Sequence, residues 1–218
     1  MAKLKPIIIA TLGARGGSGK STLAHLLAIG AINSGRPVFL FETDKSRPSL
    51  ASLDESQNRG YVVVDALDRN DPDNLFPISE IINRYITEYQ EVEGMTIIID
   101  GAAAREDFDT YVAASANIVL VSANATEHDM LALNQSWPLL SQYKNAHIVL
   151  TRTWMNKGWI EDRQHFINKF PTKPVMRIPQ HEAFAHVTDS VYRHVPSAVA
   201  VAKEIFRIAE KLAKYDKE

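Results

Sequence analysis

Apolar positions along this chain fall into two alternating patterns. Short unbroken runs occur at Ile7-Ile8-Ile9-Ala10-Thr11-Leu12, Val38-Phe39-Leu40-Phe41, Thr96-Ile97-Ile98-Ile99, Ile118 to Val121 and Ile148 to Leu150. Between them lie longer stretches in which apolar residues recur three or four positions apart. Unbroken runs suit strands covered on both faces, and the wider spacing suits helices. The pattern predicts a first helix from about Lys20 to Ser34, with Gly35 at its C-terminal cap and Pro37 stopping continuation. Further helices are expected at about Ile78 to Gln90, Glu127 to Tyr143, Gly158 to Phe170 and Ser197 to Tyr215. In the first of these, Ile81, Ile82, Tyr85, Ile86 and Tyr89 share one face. Tyr61 to Leu67 reads as a short strand, Asp71-Pro72-Asp73-Asn74 as a turn, and Pro174 to Ile178 as a last strand. Strands alternating with helices predict an α/β fold: a mostly parallel β-sheet flanked by helices on both faces. No repeat, low-complexity tract or linker breaks the 218 residues, so 1–218 is expected to be a single domain with a sizeable core.

Composition narrows the chemistry. The chain has no cysteine, which rules out disulfides, thiolate metal sites and cysteine nucleophiles. The start, Met1-Ala2-Lys3-Leu4-Lys5-Pro6, leads straight into the first strand, and no run is long enough to span a membrane. A cytoplasmic location is the expectation. The formal charge is −2, so any nucleic-acid surface has to be a local patch.

The most informative segment is Gly13-Ala14-Arg15-Gly16-Gly17-Ser18-Gly19-Lys20-Ser21-Thr22, set between the first strand and the first helix. Strand, glycine-rich turn and helix are the context of a phosphate-binding loop. Glycines let successive N–H groups turn inward around phosphate oxygens, and the helix start adds its positive dipole end. Lys20 is placed to meet the β- and γ-phosphates, and the Ser21 hydroxyl to ligate Mg²⁺. Two later strands also end in carboxylates, at Glu42 and Asp44 and at Asp100. Ligands bind at the carboxyl ends of strands in such sheets, so one shared site is expected.

With Ala14 where the general loop has its first glycine, Arg15-Gly16-Gly17-Ser18-Gly19-Lys20-Ser21 resembles the deviant Walker A loop of the ParA/MinD family of dimeric ATPases. That family carries lysine at the position of Arg15. The resemblance implies a SIMIBI-type P-loop NTPase, a three-layer sandwich using ATP and Mg²⁺. It implies nucleotide contacts from Gly16, Gly17, Ser18, Gly19, Lys20, Ser21 and Thr22. Asp100 resembles the Walker B aspartate, holding Mg²⁺ through water beside Ser21. Glu42-Thr43-Asp44 resembles the D-x-D switch I element, with Asp44 orienting the attacking water and Glu42 as an outer metal partner. Arg15 would take the part of the crossing lysine, reaching the partner subunit's phosphates as a finger; altered dimerisation or weak hydrolysis is the other reading. Gly101-Ala102-Ala103-Ala104-Arg105 lacks the proline usual in switch II. Thr151-Arg152 and Pro179, within Ile178-Pro179-Gln180-His181, take the positions that border the base.

The resemblance further implies an ATP-bound homodimer, a stimulating partner of ParB-like or relaxosome type, and DNA binding without sequence preference. In the last predicted helix Val199, Ala202, Ile205 or Phe206, Ala209 and Leu212 form an apolar stripe. Lys203, Arg207, Lys211 and Lys214 recur on another face, with Arg193 just before it. This is the candidate DNA surface, although Glu204 and Glu210 dilute its charge. The final residues lack the bulky apolar side chains of an amphipathic membrane anchor, so none is expected. The seven histidines show no metal-ligand spacing. His25 is expected to be structural, and Trp137, Trp154 and Trp159 to pack. A metabolic enzyme on the same scaffold (an amidoligase or small-molecule kinase) and a nucleotide-binding regulator with little turnover stand as the alternatives.

Overall fold

A computed structural model describes residues 6–13, 15–43, 60–66, 76–89, 91–101, 106–153, 157–182, 184 and 195–215. Along the chain run β1 (Ile7–Leu12), α1 (Lys20–Ile32), β2 (Val38–Glu42), β3 (Val62–Asp65), α2 (Phe76–Glu88) and β4 (Thr96–Asp100). There follow α3 (Glu106–Ser115), β5 (Ile118–Asn124), α4 (Glu127–Leu140), β6 (Ala146–Thr153), α5 (Lys157–Ile167), β7 (Met176–Pro179) and α6 (Pro196–Tyr215). Seven strands form one sheet in the order β3-β2-β4-β1-β5-β6-β7, and every neighbouring pair is parallel. The α/β class and parallel sheet expected from the apolar runs are what the chain forms. Among the described residues no helix is long and apolar enough to cross a membrane.

Side chains alternate across each strand and so feed two separate cores. Ala10, Leu12, Phe41, Ile99, Val121 and Leu150 face one way and pack with Ile82 of α2, Val112 of α3, Leu133 of α4 and Ile167 of α5. Ile9, Leu40, Ile98, Leu120 and Val149 face the other way and pack with Leu23 and Leu27 of α1 and with Ala202 and Phe206 of α6. Helix α1 lies between the sheet and α6, which is why every residue from Leu23 to Ala31 is buried. His25 is among them, its Nδ1 lying 2.6 Å from the Tyr61 hydroxyl, as expected for a structural histidine.

Two elements differ from the sequence expectation. Helix α3 has no counterpart there: it is only 10 residues long, and although Phe108, Tyr111 and Val112 stand at helical spacing they span little more than one turn, with Val112 and Ala113 buried. The return from β4 to the parallel β5 across β1 needs such a crossover. Helix α4 stops at Leu140 rather than Tyr143, with Pro138 inside its last turn. The remaining boundaries stay in place or move by up to three residues, which is the usual fraying of helix and strand ends.

Far from the strands' carboxyl ends, buried Arg36 ties the α1–β2 connection to α6. Its Nη1 donates to the Gly94 carbonyl at 2.8 Å, its Nη2 meets Oε1 of Glu210, and its guanidinium lies 5.9 Å from the Phe206 ring centre. Burial pushes the Glu210 carboxyl up, but Arg36 and Lys214 more than offset this and hold it below its ordinary value.

Gly30 is the point of closest approach between α1 and α6. A Cβ there would lie 2.6 Å from Cβ of Phe206 and would run into the Ala202 carbonyl oxygen. In an open helix Gly→Ala stabilises by about 1 kcal/mol. Here Gly30→Ala is expected to destabilise by about 1–3 kcal/mol, the usual cost of overpacking, in urea unfolding. A gain in stability would show that α6 can move off α1 freely.

Candidate functional site

The glycine-rich loop crosses from the end of β1 to the start of α1 in a sharp turn. Gly17 and Gly19 have φ of 77° and 96°, the left-handed region that L side chains rarely adopt. Gly19 is constrained twice, since a Cβ there would also lie 3.2 Å from the side chain of Thr151. Gly19 is the N-cap of α1, with no side-chain cap and no acidic residue in the first turn. The first-turn N–H groups and the dipole end are thus arranged for an anion rather than for a protein carboxylate. Lys20 is buried and its Nζ donates to the Arg15 carbonyl at 3.0 Å, so the lysine folds back under the loop. Ser21 and Thr22 follow in the first turn of α1, half-buried.

Hydrogen bonds from two further strands fix the underside of the loop. The Ser122 hydroxyl donates to the Leu12 carbonyl at 3.2 Å, which leaves Ser18 Oγ, 2.9 Å away, as the donor to Ser122. The Thr151 hydroxyl lies 2.6 Å from the Ser18 carbonyl and 2.9 Å from Oδ1 of Asn124. Thr151, expected beside the base from its strand position, reaches the loop with its side chain. Neither Ser122 nor Asn124 was singled out by sequence. Both are polar residues at the carboxyl end of an otherwise apolar strand, which is the signal that marks them.

The carboxylates come together through sheet register. Thr11 of β1 is paired with Asp100 of β4, Asp100 with Glu42 of β2, and Glu42 with Asp65 of β3. Asp100 is buried; Thr11 Oγ1 lies 3.5 Å from its Oδ1, and Thr43 Oγ1 donates to its carbonyl at 2.7 Å. Glu42 is half-buried at the next strand end, and Asp65, which sequence reasoning passed over, lies one strand further out. Ser21 in α1 and Asp100 and Glu42 at the carboxyl ends of β4 and β2 supply the hard oxygen donors that Mg²⁺ prefers. With the anion-ready loop beside them, these residues fit a magnesium-bound polyphosphate.

Arg15 leaves the loop toward α4, where its Nη1 lies 3.8 Å from Oδ2 of Asp129. On the other flank, Arg152 at the end of β6 is exposed and is the one non-glycine residue with positive φ, 52°, among those described. It sits where the β6–β7 register shifts, between Leu150 and Thr153. Pro179 pairs with Thr153, so the two segments expected to border the base end side by side. The basic residues Lys203, Arg207, Lys211 and Lys214 are exposed along α6. Arg207 is doubly bonded to Glu204, at 2.7 and 2.8 Å, and this bond holds the Glu204 carboxyl below its ordinary value. Lys214 lies 3.3 Å from Glu210. Asp44, Arg193, Ala102 to Arg105, Trp154, His186 and His194 lie outside the described residues.

No family model and no curated protein sequence matches the chain. Solved structures do match its fold. A ParA family ATPase from Chlorobium tepidum TLS has a TM-score of 0.68 at 15% identity, covering 94% of this chain and 98% of that one. The septum site-determining protein MinD from Pyrococcus horikoshii OT3, complexed with Mg-ADP, gives 0.66 at 14%, covering 96% and 97%. A variant of McdA from Cyanothece in complex with ATP gives 0.64 at 14%, covering 95% and 97%. The architecture is therefore the three-layer P-loop sandwich of the ParA and MinD ATPases.

Thr151 gives a direct test of how the loop is held. Thr151→Val keeps the shape of the side chain but leaves the Ser18 carbonyl without its 2.6 Å donor. The expected cost is about 1–3 kcal/mol in chemical denaturation, the penalty for an unmade buried hydrogen bond. A stability equal to wild type would show that water replaces the hydroxyl.

Proposed function

We propose that this protein is a Mg-ATP-dependent dimerising ATPase that positions or segregates DNA or another cargo in the cytoplasm, with hydrolysis stimulated by a partner of ParB-like or relaxosome type. The observation that carries the reading is the left-handed turn at Gly17 and Gly19, which brings Lys20 and the N-terminus of α1 to the strand ends that carry Asp100 and Glu42. Main-chain amides of Gly16 to Thr22 bind the phosphates, and Lys20 leaves the Arg15 carbonyl for phosphate oxygens. Bound Mg²⁺ would neutralise β- and γ-phosphate oxygens, held directly by Ser21 and through water by Asp100 and Glu42. Asp44 orients a water in line with the γ-phosphorus. The new P–O bond forms as the bond to the bridging oxygen breaks, giving ADP and phosphate. Arg15 contributes charge to a phosphate across the dimer, where its planar fork suits phosphate oxygens. Arg152 and Pro179 border the base. The fold neighbours bound to Mg-ADP and ATP support an adenine nucleotide as the ligand.

DNA engagement is assigned to the exposed face of α6, through Lys203, Arg207, Lys211 and Lys214, with Arg193 preceding it. The Glu204 and Glu210 pairings reduce the net charge of that face, so the contact is expected to need two subunits side by side.

Lys20→Ala is expected to weaken ATP binding roughly 10- to 100-fold, the loss of charge-assisted contacts, in nucleotide titration. Asp44→Ala is expected to leave ATP affinity in place and to lower kcat by roughly 10²- to 10⁴-fold. Unchanged turnover in that variant would remove Asp44 from the mechanism. Sizing with ADP, ATP and a non-hydrolysable analogue, with and without duplex DNA, tests the assembly. The expected result is a dimer with ATP that binds DNA, each phosphate contact adding about −0.9 to the slope of log affinity against log salt. Phosphate release that requires a metabolite, and neither DNA nor a protein, would favour a metabolic enzyme instead.

A further inference from the structure

Both ends of Arg15 are engaged within its own subunit. The carbonyl accepts from Lys20 Nζ at 3.0 Å, and the guanidinium lies 3.8 Å from Asp129. Asp129 is an unusual partner for an arginine whose side chain is 43% exposed, because its own side chain is only 3% exposed. A carboxylate taken out of water needs charge or hydrogen bonds in return. Its oxygens accept from the Thr126 hydroxyl at 2.6 Å and from Asn124 Nδ2 at 3.4 Å. Thr126 is the N-cap of α4 and accepts in turn from the Asp129 N–H at 3.2 Å. Capping alone would not require Arg15. The same Asn124 side chain reaches the Thr151 hydroxyl, which bonds to the Ser18 carbonyl. Asp129 therefore touches the loop twice, through the charge of Arg15 and through a polar chain beneath Ser18.

We infer that Asp129 is a positioning residue for Arg15, a latch that keeps the guanidinium against α4 until a polyphosphate draws it away. The inference rests on the ATPase reading above and adds a cis-held resting state to it. The physical balance favours release. The Arg15 Nε donates to the Gly16 carbonyl at 3.3 Å, and the 3.8 Å approach of Nη1 to Asp129, half in solvent, is a weak ion pair. A phosphate group offers more charge and accepts two parallel N–H bonds from the same fork. Once Arg15 departs, Thr126 and Asn124 still satisfy Asp129, so the latch opens without stranding a bare buried charge.

Two measurements test the latch. In nucleotide-free protein at low temperature, the Arg15 Nη–Hη resonance, assigned by its loss in Arg15→Gln, is expected to shift and to exchange faster with water in Asp129→Asn, because Nη1 is the nitrogen that faces Asp129. An unmoved resonance overturns the latch whether or not the protein binds nucleotide. Affinity for a non-hydrolysable ATP analogue is then compared in wild type, Asp129→Asn, Arg15→Gln and the double variant. Asparagine keeps the size of Asp129 and an acceptor for Thr126 but removes the charge. Asp129→Asn is expected to tighten binding about two- to fivefold, the range for a partly exposed ion pair, and to change nothing in the Arg15→Gln background. The same change in both backgrounds would mean that Asp129 acts through the α4 cap and would overturn the inference. Wild-type protein that binds no nucleotide would refute the ATPase reading instead, leaving the resonance to decide the latch.

Discussion

The placement of α1 is the constraint on which the site depends. Its residues from Leu23 to Ala31 are all buried between the sheet and α6, so the helix cannot slide or tilt without opening a core. Its first turn is thereby fixed beside the carboxyl ends of β1 and β4. Gly19 begins that turn in a conformation few other residues tolerate, and as the N-cap it offers no side-chain cap of its own. A helix start of this kind, with no acidic residue in its first turn, favours an anion. The packing of apolar side chains thus sets where charge is to be received.

The acidic side of the site follows from a different rule, the parallel register of the sheet. Neighbouring parallel strands that start level also finish level, so Asp100 and Glu42 become neighbours although 58 residues of sequence separate them. Thr11 and Thr43 then hold Asp100 in place through its carboxylate and its main chain.

Much of this was legible in the sequence because it is local. The strands announce themselves as unbroken apolar runs, and the loop as glycines preceding Lys20-Ser21. Parallel pairing and the two-sided sheet follow from the alternation of strand and helix. What escaped notice lacks a local signature. Helix α3 is only 10 residues long, and its apolar residues Phe108, Tyr111 and Val112 span little more than one turn. Asp129 is 114 residues from Arg15 and reads in sequence as an ordinary first-turn acid of α4. Thr151 was placed by strand position alone, and only the fold directs its hydroxyl to Ser18. Asp65 closes a strand whose side chains are half-buried or exposed, so nothing marked it as part of a row.

The ion pair between Arg36 and Glu210 joins positions 174 apart, and the whole α1–α6 contact spans a similar stretch of chain. A nascent polypeptide therefore carries α1, apolar around most of its circumference, with one flank bare until α6 leaves the ribosome. Non-local closure of this kind is slow, and it leaves hydrophobic surface uncovered while synthesis continues. Interrupted translation ahead of α6 would yield a fragment that holds the phosphate loop yet is prone to clump.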